Sequence, residues 1–124
     1  MDKIAVIYDD IFLQHETFNH PENPMRLRRL TQELKNAPFI DRLQWFAPVP
    51  TDEKELQLIH SPEMINFIKE TALSGGGLID PDTWVSPGSY NAALAAAGAG
   101  KVALGLVFHR GYQVVFVPAR PPGH

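Results

Sequence analysis

Two short runs of consecutive apolar residues, one near each end of the chain, limit its folds more than any other feature. Residues 4–8 are Ile-Ala-Val-Ile-Tyr, and residues 114–117 are Val-Val-Phe-Val. Neither run alternates with polar residues, which is typical of strands buried on both faces of a parallel sheet. Residues 43–46, Leu-Gln-Trp-Phe, are a third strand candidate, closed by Pro48 and Pro50.

Helix start signals lie between these runs. Asn23 and Pro24 are typical of a helix cap and a first helical position, and Leu27, Leu30 and Leu34 form an apolar stripe behind them. The intervening residues 9–23 are expected to form a loop. Strands that alternate with helices in this way indicate an α/β layered fold.

Three further helices are predicted in the second half of the chain. Acidic residues at 52–55 form a capping box, and Ser-Pro-Glu at 61–63 begins a second helix, which the glycines at 75–77 must end. A loop is expected from there to about residue 85. Ser86 and Pro87 then begin a longer helix to about Phe108, and its interior glycines predict close approach to another backbone layer. These glycines are Gly98, Gly100 and Gly105.

Composition excludes several classes of partner and site. Lys and Arg number 11 and Asp and Glu number 14, and the resulting net charge of −3 gives no reason to expect nucleic acid or an anionic membrane as partner. The absence of cysteine excludes disulfides, thiolate zinc sites and a cysteine nucleophile, so any metal would need His, Asp or Glu. The apolar region 92–108 is interrupted by Lys101 and is judged too short to span a membrane. We expect a cytoplasmic protein.

The candidate binding loops follow the carboxyl ends of the strands, where open α/β sheets hold their ligands. His15 and His20 follow the first strand, and His124 follows the last. The preceding Pro121, Pro122 and Gly123 either aim His124 by stiffening the backbone or belong to a frayed tail.

Three other polar residues have a purely structural interpretation as well as a functional one. His60 is expected to be a packed turn histidine rather than a ligand. Asp80 and Asp82, two residues apart, either grip a substrate amide or cation or are solvated turn aspartates.

Four motifs in a fixed order carry a resemblance over nearly the whole chain. They are His-Pro-Glu-Asn-Pro-Met-Arg-Leu (20–27), Ile-His-Ser-Pro-Glu (59–63), Asp-Thr-Trp-Val-Ser-Pro-Gly-Ser-Tyr (82–90) and Arg-Pro-Pro-Gly-His (120–124). The chain resembles the N-terminal part of the histone deacetylase family, in the style of its bacterial acetoin-utilisation and acetylpolyamine-amidohydrolase branches. The resemblance implies an arginase-like three-layer α/β fold with a central parallel sheet, of which residues 1–124 form only the N-terminal portion of a single domain.

The same resemblance implies a zinc-dependent amidohydrolase that removes acetyl groups from acetyl-lysine, acetylpolyamines or similar acetylamides. His124 matches the first histidine of the family's catalytic pair, Asp82 the acidic substrate-binding residue at the pocket rim, and Arg26 the arginine of the inner channel. The family's zinc ligands and its catalytic tyrosine fall after His124, so no metal ligand is assigned in this chain.

Two hypotheses follow. In the first, the chain is the N-terminal portion of a zinc-dependent deacetylase and is inactive alone. In the second, it is a non-catalytic remnant or a self-associating interaction module. In both cases an unpaired sheet edge is expected to drive homo-oligomerisation or aggregation.

Overall fold

The computed structural model describes residues 3–123. Its strands are β1 (Ile4–Ile7), β2 (Leu43–Phe46), β3 (Gly77–Asp80), β4 (Thr83–Val85) and β5 (Val115–Phe116). Its α-helices are α1 (Pro24–Lys35), α2 (Glu53–Leu56), α3 (Pro62–Leu73) and α4 (Ser89–Arg110). Two 3-10 helices cover Asp10–Gln14 and Ile40–Arg42.

The three predicted strands form one parallel sheet in the order β2-β1-β5. Ala5 of β1 lies opposite Gln44 on one side and Val115 on the other. The parallel sheet predicted from the apolar runs is therefore confirmed. β5 is shorter than its four-residue run, because only Val115 and Phe116 have register partners in β1.

The predicted helix starts at Asn23, Asp52 and Ser61 are confirmed by their cap geometry. The Asn23 side chain accepts the Met25 N–H at 3.0 Å. Those of Asp52 and Ser61 accept N–H groups three residues on, at 2.9 and 3.1 Å. Each bond satisfies an N–H that the first helical turn leaves without an intrahelical partner.

Three boundaries differ from the sequence predictions. The expected loop at 75–85 contains the antiparallel hairpin β3–β4, and the expected loop at 9–23 contains a 3-10 helix capped by Asp9. The last helix begins at Ser89 with Gly88 as its cap, not at Ser86. The Ser86 hydroxyl is engaged elsewhere, because it accepts the Glu16 N–H at 2.9 Å and donates to the Gln14 carbonyl at 2.9 Å.

Helix α4 packs a face of small residues onto the sheet and the first 3-10 helix. Ala95 and Ala99 are fully buried and share a core cluster with Ala5, Ile7 and Phe12. Small side chains on α4 let its axis lie close to the neighbouring backbone, which explains the alanine-rich composition of this helix.

Gly98 marks the closest backbone approach of α4. A Cβ atom there would lie 1.7 Å from the Val49 carbonyl oxygen, so the prediction of close packing is confirmed at this glycine. It is wrong at Gly100 and Gly105, where a Cβ would meet nothing within 4 Å among the described residues. Nearby, the Thr51 N–H donates to the Leu94 carbonyl at 3.0 Å and joins the segment after β2 to α4.

α4 also corrects the judgement that the apolar region is too short for a membrane span. α4 has 22 residues, and the mean hydropathy of an 18-residue window within it is 1.5, so α4 is long and apolar enough to cross a membrane by length and composition. Core helices of globular domains pass the same test. Ala95, Ala99 and Leu106 of α4 lie in the core cluster on the sheet, and 28% of the apolar window is buried.

The packing of α4 predicts opposite effects for two glycine substitutions in the same helix. Gly98→Ala is expected to lower the free energy of unfolding by about 3 kcal/mol, because the new methyl group overlaps a backbone oxygen that cannot move independently. Gly100→Ala is the matched control and should raise it by up to about 1 kcal/mol through helix propensity alone. Urea denaturation of both variants measures the difference, and equal effects would contradict the close approach at Gly98.

Candidate functional site

A buried arginine joins the two chain segments that follow the carboxyl ends of β1 and β5. Arg120 is 2% exposed, and its guanidinium makes a two-pronged contact with the Glu22 carboxylate at 2.5 and 2.8 Å. The same group donates to the carbonyls of Phe12 at 3.1 Å and His15 at 2.6 Å. A planar guanidinium with five donors suits this combination of a carboxylate and carbonyls.

The contact with Arg120 determines the charge state of Glu22. Burial alone would raise the pKa of the Glu22 carboxyl, but the hydrogen bonds and the positive charge of Arg120 outweigh it. The pKa of Glu22 therefore lies below its ordinary value of 4.5. Glu22 is ionised at neutral pH, so the arginine is a paired buried charge.

A second buried network holds the first loop against the start of α4. His15 Nδ1 lies 2.7 Å from Ser89 Oγ, which also accepts the Ser86 N–H at 2.7 Å. Burial, and secondarily the charge of Arg120, lowers the pKa of His15 below its ordinary value of 6.5. The imidazole is therefore neutral at physiological pH and serves as a hydrogen-bonding group of the interior.

His20 and Asp82, which belong to different sequence motifs, are in contact. His20 Nε2 lies 2.9 Å from Asp82 Oδ1, and Asp82 stands at the turn of the β3–β4 hairpin with its side chain 85% exposed. His20 Nδ1 accepts the Glu22 N–H at 2.9 Å, so Nδ1 carries no hydrogen. The ring N–H of His20 is therefore on Nε2. His20 thus donates to one oxygen of Asp82 and leaves the carboxylate facing solvent.

An aromatic contact runs beside the His20–Asp82 pair. The rings of Phe18 and Trp84 meet edge to face with centroids 4.9 Å apart. Phe18 is 58% exposed and has a φ of +54°, a left-handed conformation that costs a bulky residue free energy. The Glu16 carboxylate supports it by accepting the N–H groups of Thr17 and Phe18.

The other residues singled out from the sequence are placed as follows. Arg26 lies in the first turn of α1, where Nη1 is 3.8 Å from the Glu22 carboxylate and the side chain is largely exposed. Asp80 accepts the Asp82 N–H and the Thr83 hydroxyl at 2.9 Å each, as a turn aspartate does. His60 is half-buried just before the cap of α3. His124 lies outside the described residues.

The segment 118–123 is not a frayed tail. Pro118 and Arg120 are buried, and the Arg120 side chain is anchored in the first loop. The segment is therefore fixed as far as Arg120, and the prediction that Pro121, Pro122 and Gly123 aim His124 concerns a residue outside the described ones.

The described residues do not fit a zinc ion. Within residues 3–123, no three His, Asp or Glu side chains are grouped so that they could hold a metal.

Sequence reasoning singled out Asp82, Arg26 and His20 as candidates but not Glu22 and Arg120, whose contact joins the first loop to the last segment. Glu22 and Arg120 both stand inside the quoted motifs, yet spacing gives no sign that they pair across 98 positions of sequence. No local sequence signal identifies this pair, because only the completed topology brings Glu22 and Arg120 together.

Two arginines that face the same carboxylate allow a matched test of the buried pair. Arg120→Met is expected to lower the free energy of unfolding by about 3 kcal/mol, because Glu22 and two carbonyls lose their donor. Arg26→Met should change it by less than about 1 kcal/mol, since that side chain is solvated. Denaturant titration checks both, and equal losses would show that Arg120 is not the organising charge.

The lowered pKa of Glu22 predicts a dependence of stability on pH. The stabilisation that ionised Glu22 supplies is complete above about pH 4.5 and is lost as the pH falls through the lower pKa of the folded state. Glu22→Gln should therefore flatten the fall of unfolding free energy below pH 4.5. Glu33→Gln, on the exposed side of α1, should leave it unchanged, and an unaltered slope in Glu22→Gln would refute the assignment.

Comparison with known proteins shows which family and which relatives the chain is similar to. The histone deacetylase domain family matches residues 20–124. An uncharacterised protein of Synechocystis is 39% identical over 98% of this chain, which corresponds to 41% of that protein. Histone deacetylase 8 of Arabidopsis thaliana is 35% identical over 85% of this chain and 28% of its own length.

A solved structure agrees with the sequence matches. The crystal structure of the HDA15 HD domain superposes with a TM-score of 0.88 at 30% identity, covering 99% of this chain and 36% of that one. The expected arginase-like α/β fold with a central parallel sheet is confirmed by this likeness. The chain spans less than half of each of these longer proteins. The match over residues 20–124 and the shared fold show that the chain belongs to the histone deacetylase family.

Proposed function

We propose that this chain forms the substrate-binding rim of a zinc-dependent deacetylase that hydrolyses acetyl-lysine, acetylpolyamines or related acetylamides. Membership of the histone deacetylase family supports a hydrolase of this type. The observation that carries the proposal is the meeting of three sequence motifs at one end of the parallel sheet. His20 contacts Asp82, and Glu22 contacts Arg120, so the motifs at 20–27, 82–90 and 120–124 form one site.

Asp82 is the proposed contact to the substrate. One carboxylate oxygen accepts from His20, and the side chain remains exposed, so it can accept an amide N–H or bind an ammonium group of an acetylated amine. The neighbouring rings of Phe18 and Trp84 offer apolar surface to the aliphatic part of such a substrate. This role orients the substrate and makes no covalent bond.

Arg26 and His124 are assigned by family resemblance. The exposed guanidinium of Arg26 can pair with a carboxylate such as acetate, the product of deacetylation, and its Nη1 lies 3.8 Å from the Glu22 carboxylate. We propose His124 as a general base and acid for the attacking water. Zinc, when bound in the longer proteins, would polarise the acetyl carbonyl.

We propose further that residues 1–124 are inactive alone. Two observations support this: the chain covers 28% and 41% of two relatives, and the described residues lack a metal-binding group. Binding of the substrate amide at Asp82 does not require the metal. We therefore expect this chain to bind substrate without hydrolysing it.

A binding measurement tests the rim independently of turnover. The chain should bind an acetyl-lysine peptide or N-acetylputrescine, detected by NMR shifts of residues 18–22 and 82–84, and Asp82→Asn should weaken binding at least about tenfold by removing a charge-assisted hydrogen bond. Asp41→Asn, at an exposed position in the second 3-10 helix, is the control. Equal binding by both variants would contradict the role of Asp82.

A turnover assay with added zinc accompanies the binding measurement. The chain is expected to release no acetate above the uncatalysed rate. Acetate release with one bound zinc per chain would overturn the proposed inactivity while leaving the deacetylase assignment intact.

The alternative function is that of a non-catalytic interaction module. It is favoured by the apolar side chains that β5 leaves exposed, Val114 and Phe116. Absence of substrate binding by a chain that circular dichroism shows to be folded would support this alternative over the first; self-association does not discriminate, because both hypotheses expect it.

A further inference from the structure

The ring of His20 is fixed in place by residues close to it in sequence. The His20 N–H donates to the Thr17 carbonyl at 3.1 Å, and the His20 carbonyl accepts from the Asn23 side chain at 2.9 Å. Nδ1 accepts the Glu22 N–H at 2.9 Å, which leaves the ring hydrogen on Nε2. The first loop therefore presents one hydrogen-bond donor of His20 in a defined orientation.

The same part of the loop is anchored to the protein interior through Glu22. The Glu22 carboxylate binds the Arg120 guanidinium at 2.5 and 2.8 Å, and the Glu22 carbonyl accepts from the Thr17 hydroxyl. Arg120 is 2% exposed and also donates to two carbonyls of the first loop. A continuous set of hydrogen bonds therefore leads from a buried charge to the ring of His20.

The Asp82 carboxylate receives its orientation from this ring. The Asp82 backbone is held by the hairpin turn, where its N–H donates to Asp80 at 2.9 Å, but the side chain is 85% exposed. Within residues 3–123, the partner of the Asp82 carboxylate is His20, whose Nε2 lies 2.9 Å from Oδ1. Without a partner, an exposed aspartate side chain can adopt several staggered rotamers.

A second contact holds the hairpin beside the loop without the help of His20. Phe18 lies two residues before His20, and Trp84 lies two residues after Asp82. The rings of Phe18 and Trp84 meet with centroids 4.9 Å apart. Removal of the His20 contact should therefore release the Asp82 side chain and leave the hairpin in place.

We propose that His20 is a positioning residue for substrate recognition and acts through Asp82. This inference rests on the proposed function of Asp82 as the substrate contact. His20 binds Oδ1 and holds the carboxylate in one rotamer, which leaves Oδ2 for the substrate. The free energy of ordering the Asp82 side chain is then supplied on folding and not during binding. His20 itself touches no substrate.

Two substitutions separate the two hydrogen bonds of the His20 ring. The amide group of His20→Gln can donate from about the position of Nε2 and should still hold Asp82. Asparagine is too short for that contact, but the carbonyl of His20→Asn can still accept the Glu22 N–H in an Asx turn. We expect His20→Asn to weaken binding of an acetyl-lysine peptide at least about threefold, and His20→Gln to weaken it by less than about twofold.

A double-mutant cycle tests whether His20 acts through Asp82. In the Asp82→Ala background, His20→Asn should weaken binding no further, whereas independent contributions would add. His109→Asn, at an exposed position in the last turn of α4, is the control and should leave binding unchanged. Equal binding by His20→Asn and the unmodified chain, or additive losses in the cycle, would overturn the proposal.

A measurement without substrate separates this proposal from the proposed function. Three-bond NMR couplings of the Asp82 side chain should show one χ1 rotamer in the unmodified chain and in His20→Gln, and averaged rotamers in His20→Asn. Circular dichroism must show that His20→Asn retains its helices; if it does not, His20→Ser, which can also accept the Glu22 N–H, replaces it. Averaged couplings in the unmodified chain would overturn this proposal alone. A single rotamer in an unmodified chain that does not bind the peptide would contradict the proposed function.

Discussion

The pairing of Arg120 with Glu22 and with the carbonyls of the first loop is the interaction on which the site depends. A guanidinium at 2% exposure is tolerated only when its donors find acceptors, and here the acceptors come from one loop after β1. The geometry of that loop and the path of residues 118–123 are therefore coupled. A displacement of Glu22 would therefore also displace Arg120 and the segment that contains it.

Much of the fold was predictable because its determinants are local. Buried parallel strands need continuous apolar runs, and helix starts need a capping side chain followed by proline or acidic residues, so β1, β2 and the helices at Pro24 and Pro62 could be predicted from adjacent residues. The start of α4 could not, because Ser86 is a good cap by type but is engaged by the distant Gln14 and Glu16. The hairpin β3–β4 was missed because its strands are short and irregular in register.

The candidate site was predictable in its residue types and much less in its contacts. The motif resemblance identified Asp82 and Arg26, but not that His20 would hold Asp82 or that Arg120 would hold Glu22. Contacts of this kind join residues that only the completed topology brings together. The helix glycines show the same limit of prediction from sequence. A glycine in a helix predicts close packing, but only the fold shows that a Cβ at Gly98 would overlap Val49, whereas one at Gly100 would meet nothing within 4 Å among the described residues.

The central position of β1 has a consequence for the order in which the chain can fold. β1 precedes both of its partners in the sequence, and its register with β5 joins Ala5 to Val115, across most of residues 3–123. During translation β1 can pair with β2 early, but its other edge must wait until Val115 has emerged from the ribosome. Pairings between such distant residues close slowly. A chaperone that shields an apolar strand during this interval would act on residues 4–7.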